Sequence, residues 1–162
     1  AGAGQAGAQV RLLLVALLLG ACAMQAPGAR DPSAPIWSST RFEPARFAGD
    51  WVVRQAVGAA PRQLAVTSAT PDGFGWLADG VPRTARLTGP GRFVLDGKGA
   101  GRDVWVLWVD DDFRTAALGT PDGSLGWIID RGATGGTDRI AAAREIMEFN
   151  GYDVSKLVDV RQ

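Results

Sequence analysis

Apolar and polar residues alternate along most of the chain from residue 51 onward, and this alternation predicts short β-strands. Trp51 opens the first alternating run, which continues to Val57. Turn residues such as Pro71, Asp72 and Gly73 separate it from seven further segments. The eight predicted strands are residues 51–57, 63–69, 74–78, 83–88, 92–95, 103–110, 114–119 and 125–131.

Short connections join these eight segments, and no helix-length pattern interrupts them. Eight antiparallel strands can close into an up-and-down barrel whose interior holds packed side chains or one small ligand. An eight-stranded sandwich is the alternative, although it usually needs a longer crossover connection. We therefore predict an all-β domain at residues 41–162, built as an eight-stranded antiparallel up-and-down β-barrel.

Helical periodicity occurs once, after the last of these strands. Thr137 or Asp138 is a suitable N-cap, and Asn150 with Gly151 ends the pattern. We predict that this single C-terminal α-helix packs outside the barrel and that a short final strand at residues 156–160 lies beside the first strand. The apolar face of the helix consists of Ile140, Ala143, Ile146 and Met147.

The N-terminal region contains an unbroken apolar run, residues 12–19, before the only cysteine of the chain. The run is too short for a membrane-spanning helix and has the length of a signal-peptide core. Its continuation through Gly20 and Ala21 to Cys22 resembles a bacterial lipobox, in which the cysteine is acylated and becomes the first residue of the mature protein. A plain secretory signal with an incidental cysteine is the alternative.

These features divide the chain before the barrel into two segments. We predict a lipoprotein signal peptide at residues 1–21 and an acylated Cys22. Residues 23–40 are rich in Ala, Pro and Ser, so residues 22–40 are predicted to be a flexible tether between the acyl chains and the folded body.

Composition and charge exclude several classes of function. The 162 residues include 17 Lys and Arg against 17 Asp and Glu, so the chain lacks the basic surface that a nucleic-acid-binding protein needs. The absence of histidine argues against serine and cysteine triads and histidine-bearing zinc sites. Asp110, Asp111 and Asp112 lack the spaced oxygen ligands and glycine of a calcium loop. We expect no catalytic residue, metal or cofactor.

Three motifs in the expected order resemble those of the lipocalins. Residues 49–51, Gly-Asp-Trp, match the Gly-x-Trp motif of that family, and residues 111–113, Asp-Asp-Phe, occupy the place of its Thr-Asp-Tyr motif. Arg131 stands where the family has an arginine at the end of the eighth strand. Residues 112–118, 127–129 and 151–156 further resemble the bacterial outer-membrane lipocalins.

The resemblance implies structural roles for five motif residues. Trp51, preceded by Gly49, would close one end of the barrel, and Arg131 would lay its guanidinium across the indole. Asp112, next to Phe113, would orient the backbone of the turn between the sixth and seventh strands.

Alternate residues of each strand are expected to point into the barrel. Trp105 and Trp108 are three positions apart, so on a regular strand only one of them can line the cavity, and the resemblance favours Trp108. The predicted ligand-binding residues are Val53, Trp76, Val106, Trp108, Trp127 and Ile129.

The function that the resemblance implies is binding, storage or transport of a small apolar molecule. A lumen with few charges suits a fatty acid or lysophospholipid. We expect a lipid-anchored monomer or weak dimer on the periplasmic face of the outer membrane. A small periplasmic enzyme on the same barrel and a structural lipoprotein with a filled, ligand-free barrel are the two alternatives.

Overall fold

The computed structural model describes residues 28–97 and 101–162. The predicted signal peptide and Cys22 lie outside the described residues. The elements in chain order are α1 Pro44–Phe47, β1 Gly49–Val57, β2 Gln63–Thr70, β3 Gly73–Ala78, β4 Val81–Gly89, β5 Arg92–Leu95, β6 Arg102–Val109, β7 Thr115–Gly119, β8 Gly126–Asp130, α2 Thr137–Phe149, a 3₁₀ turn Val154–Lys156, and β9 Val158–Asp159.

Strands β1 to β8 form a closed antiparallel barrel in chain order. Each strand from β1 to β7 pairs with the next strand, and β8 pairs with β1, which completes the ring. The predicted up-and-down barrel is therefore confirmed, and the sandwich alternative was wrong. The β1–β2, β3–β4, β5–β6 and β7–β8 connections lie at one end, which we call the mouth. Helix α1 and the β2–β3, β4–β5 and β6–β7 turns lie at the other end, which we call the floor.

Strand β1 changes partners half-way along its length. Its first half, Gly49 to Val52, pairs with β2, whereas Gln55 and Ala56 pair with β9. An irregularity between Val53 and Gln55 marks the change. The short final strand thus lies beside the first strand, as predicted.

Helix α2 packs on the outside of the barrel, where Ala143 and Met147 are fully buried. The N-cap is Gly136, one residue before the first predicted cap, Thr137, because the carbonyl of Gly136 accepts the first helical hydrogen bond, from the amide of Ile140 at 2.9 Å. Gly136 has φ = 68°, a conformation that favours glycine. No helix within the described ranges is long and apolar enough to cross a membrane.

Residues 28–40 lie along the barrel wall, and we call this segment the strap. Ala29 and Arg30 are buried, and the amide of Ser39 donates to the carbonyl of Val106 at 2.7 Å. The Arg30 side chain donates to three backbone carbonyls, including that of Asn150 at 2.7 Å. The prediction of a flexible tether through residue 40 was therefore wrong for residues 28–40, because backbone and arginine hydrogen bonds hold them on the barrel.

Candidate functional site

The barrel interior, which we call the lumen, is lined by apolar side chains from all eight strands. The buried residues that cluster there are apolar. Val53, Val106 and Ile129 are fully buried, so no void large enough for water touches them. The lining residues are Trp51, Val53, Ala56, Leu64, Val66, Phe74, Trp76, Ala85, Leu87, Phe93, Leu95, Val104, Val106, Val109, Ala116, Leu118, Trp127 and Ile129.

A column of aromatic rings runs through the lumen from floor to mouth. At the floor, the rings of Phe47 and Trp51 have centroids 4.8 Å apart, and Phe47 also lies 6.4 Å from Phe74. Further up, Trp76 stacks on Trp127 at 6.3 Å with an interplanar angle of 22°. Because Trp76 belongs to β3 and Trp127 to β8, this stack spans the lumen and fills it.

The predicted lumen residues divide into five that lie inside and one that does not. Val53, Trp76, Val106, Trp127 and Ile129 belong to the interior cluster, and their contact with a ligand stays a prediction.

Trp108 lies on the outer face of the barrel instead of lining the lumen. An irregularity between Val106 and Trp108 makes Leu107 an extra residue in β6 and reverses the inward–outward order beyond it. Trp105 and Trp108 therefore both pack in the outer cluster with helix α2, and Val109 takes the inward position. The prediction that Trp108 lines the cavity was therefore wrong, because it assumed a regular strand.

At the mouth, Trp127 is held by the β1–β2 loop. Its indole Nε1 donates to the carbonyl of Ala59 at 3.1 Å. The start of the same loop lies against the β7–β8 connection, since a Cβ added to Gly58 would fall 2.3 Å from the carbonyl oxygen of Ser124. Gly58 has φ = 76°, which also favours glycine at this close approach. The mouth is thus closed by one indole, one hydrogen bond and one tight loop contact.

The floor is closed by Trp51 under Arg131. The guanidinium carbon of Arg131 lies 3.7 Å from the centre of the indole, which is the contact that the sequence predicted. The indole Nε1 of Trp51 donates to the carbonyl of Phe47 at 2.9 Å, which fixes α1 on the barrel. A cation over an indole face contributes about 0.5 to 2 kcal/mol depending on desolvation.

Arg131 also donates hydrogen bonds to carbonyls on both sides of the floor. Its Nη1 donates to Asp50 at 2.9 Å, Nη2 donates to Ala48 at 2.9 Å, and Nε donates to Phe113 at 3.2 Å. Gly49, at φ = 105°, brings the backbone close to this guanidinium: an added Cβ would lie 3.0 Å from Nη1. Partial burial lowers the pKa of Arg131, but its guanidinium remains charged at neutral pH.

The aspartate that organises the β6–β7 turn is Asp110, and the role predicted for Asp112 was wrong. The Asp110 carboxylate accepts from the amides of Arg114 at 2.6 Å and Thr115 at 2.7 Å. Asp112 is exposed and forms only an ion pair with Arg114 at 3.1 Å. Phe113, at φ = 57°, is buried beneath the guanidinium of Arg46 at 4.2 Å. Burial alone would raise the pKa of Asp110, but the hydrogen bonds from Thr115 and Arg114 outweigh burial and lower it.

A cleft of about 610 Å³ opens at the floor, between the end of the strap and the β2–β3 and β4–β5 turns. Phe42 and Leu87, which also contact the lumen cluster, form its apolar side. Asp72 and Arg86 lie at its edge. The cleft therefore exposes part of the floor without opening the mouth.

Two polar groups that the sequence did not single out hold α2 and the strap on the barrel. Buried Asp130 accepts hydrogen bonds from Thr115 and from Arg139 of α2. The Tyr152 hydroxyl donates to the carbonyl of Leu125 at 2.9 Å and accepts from the amide of Thr120 at 2.8 Å. Burial raises the pKa of Tyr152 to about 12, so its hydroxyl stays protonated.

Comparison with solved structures finds the same architecture in proteins of low sequence identity. Lobster apocrustacyanin A1 superposes with a TM-score of 0.62 at 15% identity, covering 85% of this chain and 93% of that protein. The cockroach allergen Per a 4 gives a TM-score of 0.57 at 13% identity, covering 82% and 96% respectively. Residues 91–162 match the family model of the Lipocalin-like domain.

The fold is a lipocalin fold. In sequence, a 55-residue segment of this lipocalin-like chain is 38% identical to temperature-induced lipocalin-1 of Arabidopsis thaliana. That segment covers 34% of this chain and 30% of the plant protein, so the match spans less than a third of the relative's length.

Proposed function

We propose that this protein is an acyl-anchored lipocalin that binds, stores or transports a fatty acid or lysophospholipid at the periplasmic face of a bacterial outer membrane. The observation that carries the proposal is the buried cluster of the lumen, whose side chains are apolar. A binding site usually orients its ligand with a few polar groups. Arg83 pairs with the lumen residue Trp76 near the mouth, so the lumen suits an unbranched acyl chain whose polar head stays at the mouth.

Binding requires the aromatic rings of the column to move apart, because their side chains fill the lumen. The Trp76–Trp127 stack and the bond from Trp127 to Ala59 are the contacts that must open. An aromatic pair is worth about 0.5 to 1.5 kcal/mol beyond its burial, and a hydrogen bond about as much. An acyl chain that replaces these rings restores apolar contact at about 0.8 kcal/mol per buried methylene, so a chain of ordinary length offsets the opening.

The test is a titration of the protein with a fluorescent fatty acid and a fluorescent lysophospholipid, followed through tryptophan quenching. We expect saturable binding and a smaller quenching signal in Trp76→Phe, because Trp76 lies in the lumen. Trp108→Phe is the matched control, because its indole lies on the outer face, and its quenching should match that of the unchanged protein. No saturable binding by any ligand of the panel would defeat the proposal.

A ligand-free structural barrel is the second candidate, and the filled lumen favours it. Fully buried Val53, Phe93 and Val106 leave no void beside them. This candidate predicts no binding and no change in melting temperature with any acyl ligand. A bound ligand instead stabilises the folded state by mass action, so thermal unfolding with and without ligand separates the two candidates.

The anchoring part of the proposal rests on Cys22 and the lipobox-like residues before it. Mass spectrometry of the membrane fraction should find acyl chains on Cys22, and Cys22→Ala should release the protein into the periplasm. An unmodified cysteine in a periplasmic protein would contradict the anchor while leaving ligand binding untouched.

A further inference from the structure

We infer that the barrel mouth, and not its floor or side wall, rests on the phospholipid bilayer, so that the lumen opens towards the membrane. The inference rests on the acyl anchor at Cys22 proposed above. Three features of the molecule carry it: the route of the strap, the reach of the chain before it, and the unequal distribution of exposed apolar side chains.

The strap begins at the mouth. The amide of Ala29 donates to the carbonyl of Gly123 in the β7–β8 connection at 2.9 Å. Gly28 lies against the same connection, since an added Cβ would fall 2.4 Å from the carbonyl oxygen of Asp122. Arg30 donates to the carbonyl of Pro121 at 2.9 Å. Backbone and side-chain bonds therefore fix the point at which the chain meets the folded body.

The chain between the anchor and this point is short. Cys22 and Gly28 are six residues apart. At about 3.3 to 3.6 Å per residue in a fully extended chain, six residues span at most about 20 to 22 Å. A folded body of this size has a diameter of about 35 Å from its expected radius of gyration. If the floor faced the bilayer, Gly28 would lie about a body diameter above it, beyond the reach of the acylated cysteine.

Large apolar side chains are exposed in the half of the molecule nearer the mouth. Val81, beside the β3–β4 turn, is 55% exposed, and Leu77, which pairs with Pro82 in the same hairpin, is 36% exposed. Phe149, at the end of α2 near the mouth loops, is 72% exposed, and Val158 is exposed beside Ala56. The remaining exposed large apolar residue of the described chain, Trp37, lies on the strap.

The floor carries exposed ion pairs on the side of the β6–β7 turn. Arg41 pairs with Asp111 at 2.7 Å, and Arg114 pairs with Asp112 at 3.1 Å. The side chains of Arg41 and Asp111 are both mostly exposed. Placing such pairs against lipid would remove their water without a new partner, which is unfavourable. Apolar side chains such as Val81 and Phe149 instead gain by leaving water.

The contact itself should depend on apolar burial more than on lipid charge. At the mouth, the Asp79 carboxylate accepts hydrogen bonds from the amides of Arg62 and Gln63, so both signs of charge occur there. Basic clusters attract proteins to anionic lipids. The arginines at the mouth lie beside acidic residues, since Nη1 of Arg83 donates to the carbonyl of Asp96 at 2.8 Å. A vesicle of zwitterionic phospholipid is therefore the appropriate test surface.

Hydrogen–deuterium exchange on membrane-tethered protein tests the orientation. The mature chain from Cys22 onward is coupled through that cysteine to a maleimide phospholipid in phosphatidylcholine vesicles, so the result does not depend on natural acylation. We expect slower amide exchange in the mouth connections, residues 58–62, 79–80 and 120–125, than in the Cys22→Ala protein mixed with the same vesicles. The floor turns should exchange equally in both samples at Asp72, Gly91 and residues 111–112, because Pro71 and Pro90 have no amide hydrogen.

Variants at exposed positions distinguish contact from mere proximity. Val81→Asp with Phe149→Asp should lose the exchange protection at the mouth, whereas Trp37→Asp, an equally exposed aromatic position on the strap, should keep it. Protection of the floor turns, or none at the mouth in the tethered protein, would overturn the inference. Ligand binding is measured separately by quenching, so loss of the proposed function and loss of this orientation give different results.

Discussion

The two ends of the barrel are closed by different means. At the floor, Arg131 stacks on Trp51 at 3.7 Å and its guanidinium donates to backbone carbonyls of three segments. At the mouth, Trp127 is held by its stack on Trp76 and by one hydrogen bond to the β1–β2 loop. The floor therefore opens only when several polar bonds break together, whereas the mouth opens when one bond breaks and two rings part.

This difference assigns separate tasks to the two ends. Buried polar networks rigidify a structure when each group is satisfied, and the floor has that property. A closure made of apolar stacking can be exchanged for another apolar surface, such as an acyl chain, with little loss of contact. We therefore expect changes at the floor to reduce stability and changes at the mouth to alter ligand kinetics.

The largest effect should come from Trp51→Ala. Removing a buried aromatic residue usually costs about 3 to 5 kcal/mol in the free energy of unfolding, and here it also leaves Arg131 without its ring. Chemical denaturation measures the change. Trp37→Ala is the control, because Trp37 is exposed and should change stability by no more than about 0.5 kcal/mol. Similar losses of stability in the two variants would show that Trp51 at the floor contributes no more to stability than an exposed tryptophan.

A smaller effect is expected from Asp110→Asn, which keeps the shape of the side chain and removes its charge. The carboxylate accepts two backbone amides and pairs with Arg114, so its loss should cost about 1 to 3 kcal/mol. Asp112→Asn should change stability by less than about 0.5 kcal/mol, because its ion pair is exposed. Equal losses of stability in the two variants would support the predicted role of Asp112 in orienting the backbone of the β6–β7 turn.

The Asp110 contribution should also depend on pH. Its pKa is lowered in the folded protein, so the stabilisation is fully present above the unfolded value of about 3.9 and is lost as the pH falls through the lower folded value. The difference in stability between the unchanged protein and Asp110→Asn should therefore shrink below about pH 4. A difference that stays constant down to pH 2 would show that the charge of Asp110 is not its source.

The smallest effect on stability, and a kinetic one, should come from Trp127→Phe. A phenyl ring retains most of the stack but cannot donate to Ala59, so stability should fall by about 0.5 to 1.5 kcal/mol while the fluorescent fatty acid associates faster. Stopped-flow mixing measures the association rate. Trp105→Phe is the matched control. The buried Nε1 of Trp105 has no hydrogen-bond partner within the described structure, so this variant makes the same substitution without losing a hydrogen bond. An unchanged association rate in Trp127→Phe would show that the mouth is not the gate.

The fold could be predicted from the sequence because its signals are local and repeated. Alternating strands, short turns and the order of Gly49, Trp51 and Arg131 all point to one barrel, and the structure confirms it. The helix stop at Asn150 and Gly151 was equally local. Such features depend on neighbouring residues and can be predicted without knowledge of distant contacts.

The wrong predictions concern features that are determined by contacts between residues far apart in the sequence. The apolar run through β6 contains no glycine or proline to mark the extra residue at Leu107, so its alternation could not reveal that Trp108 faces outward. The sequence does not distinguish which of the three consecutive aspartates accepts the backbone amides of the β6–β7 turn. Only the path of the turn selects Asp110. The strap resembled a tether in composition, and its attachment depends on Arg30 finding carbonyls far along the chain.

The stacked indoles of Trp76 and Trp127 have an optical consequence. Two identical chromophores held 6.3 Å apart at a fixed 22° angle are close enough for their electronic transitions to couple, and their chiral surroundings make the coupled pair visible as an exciton couplet in circular dichroism. Separating the rings by an acyl chain would weaken that couplet, because the coupling falls with the cube of the distance between the rings. The protein thus contains its own reporter of whether the lumen is empty or occupied.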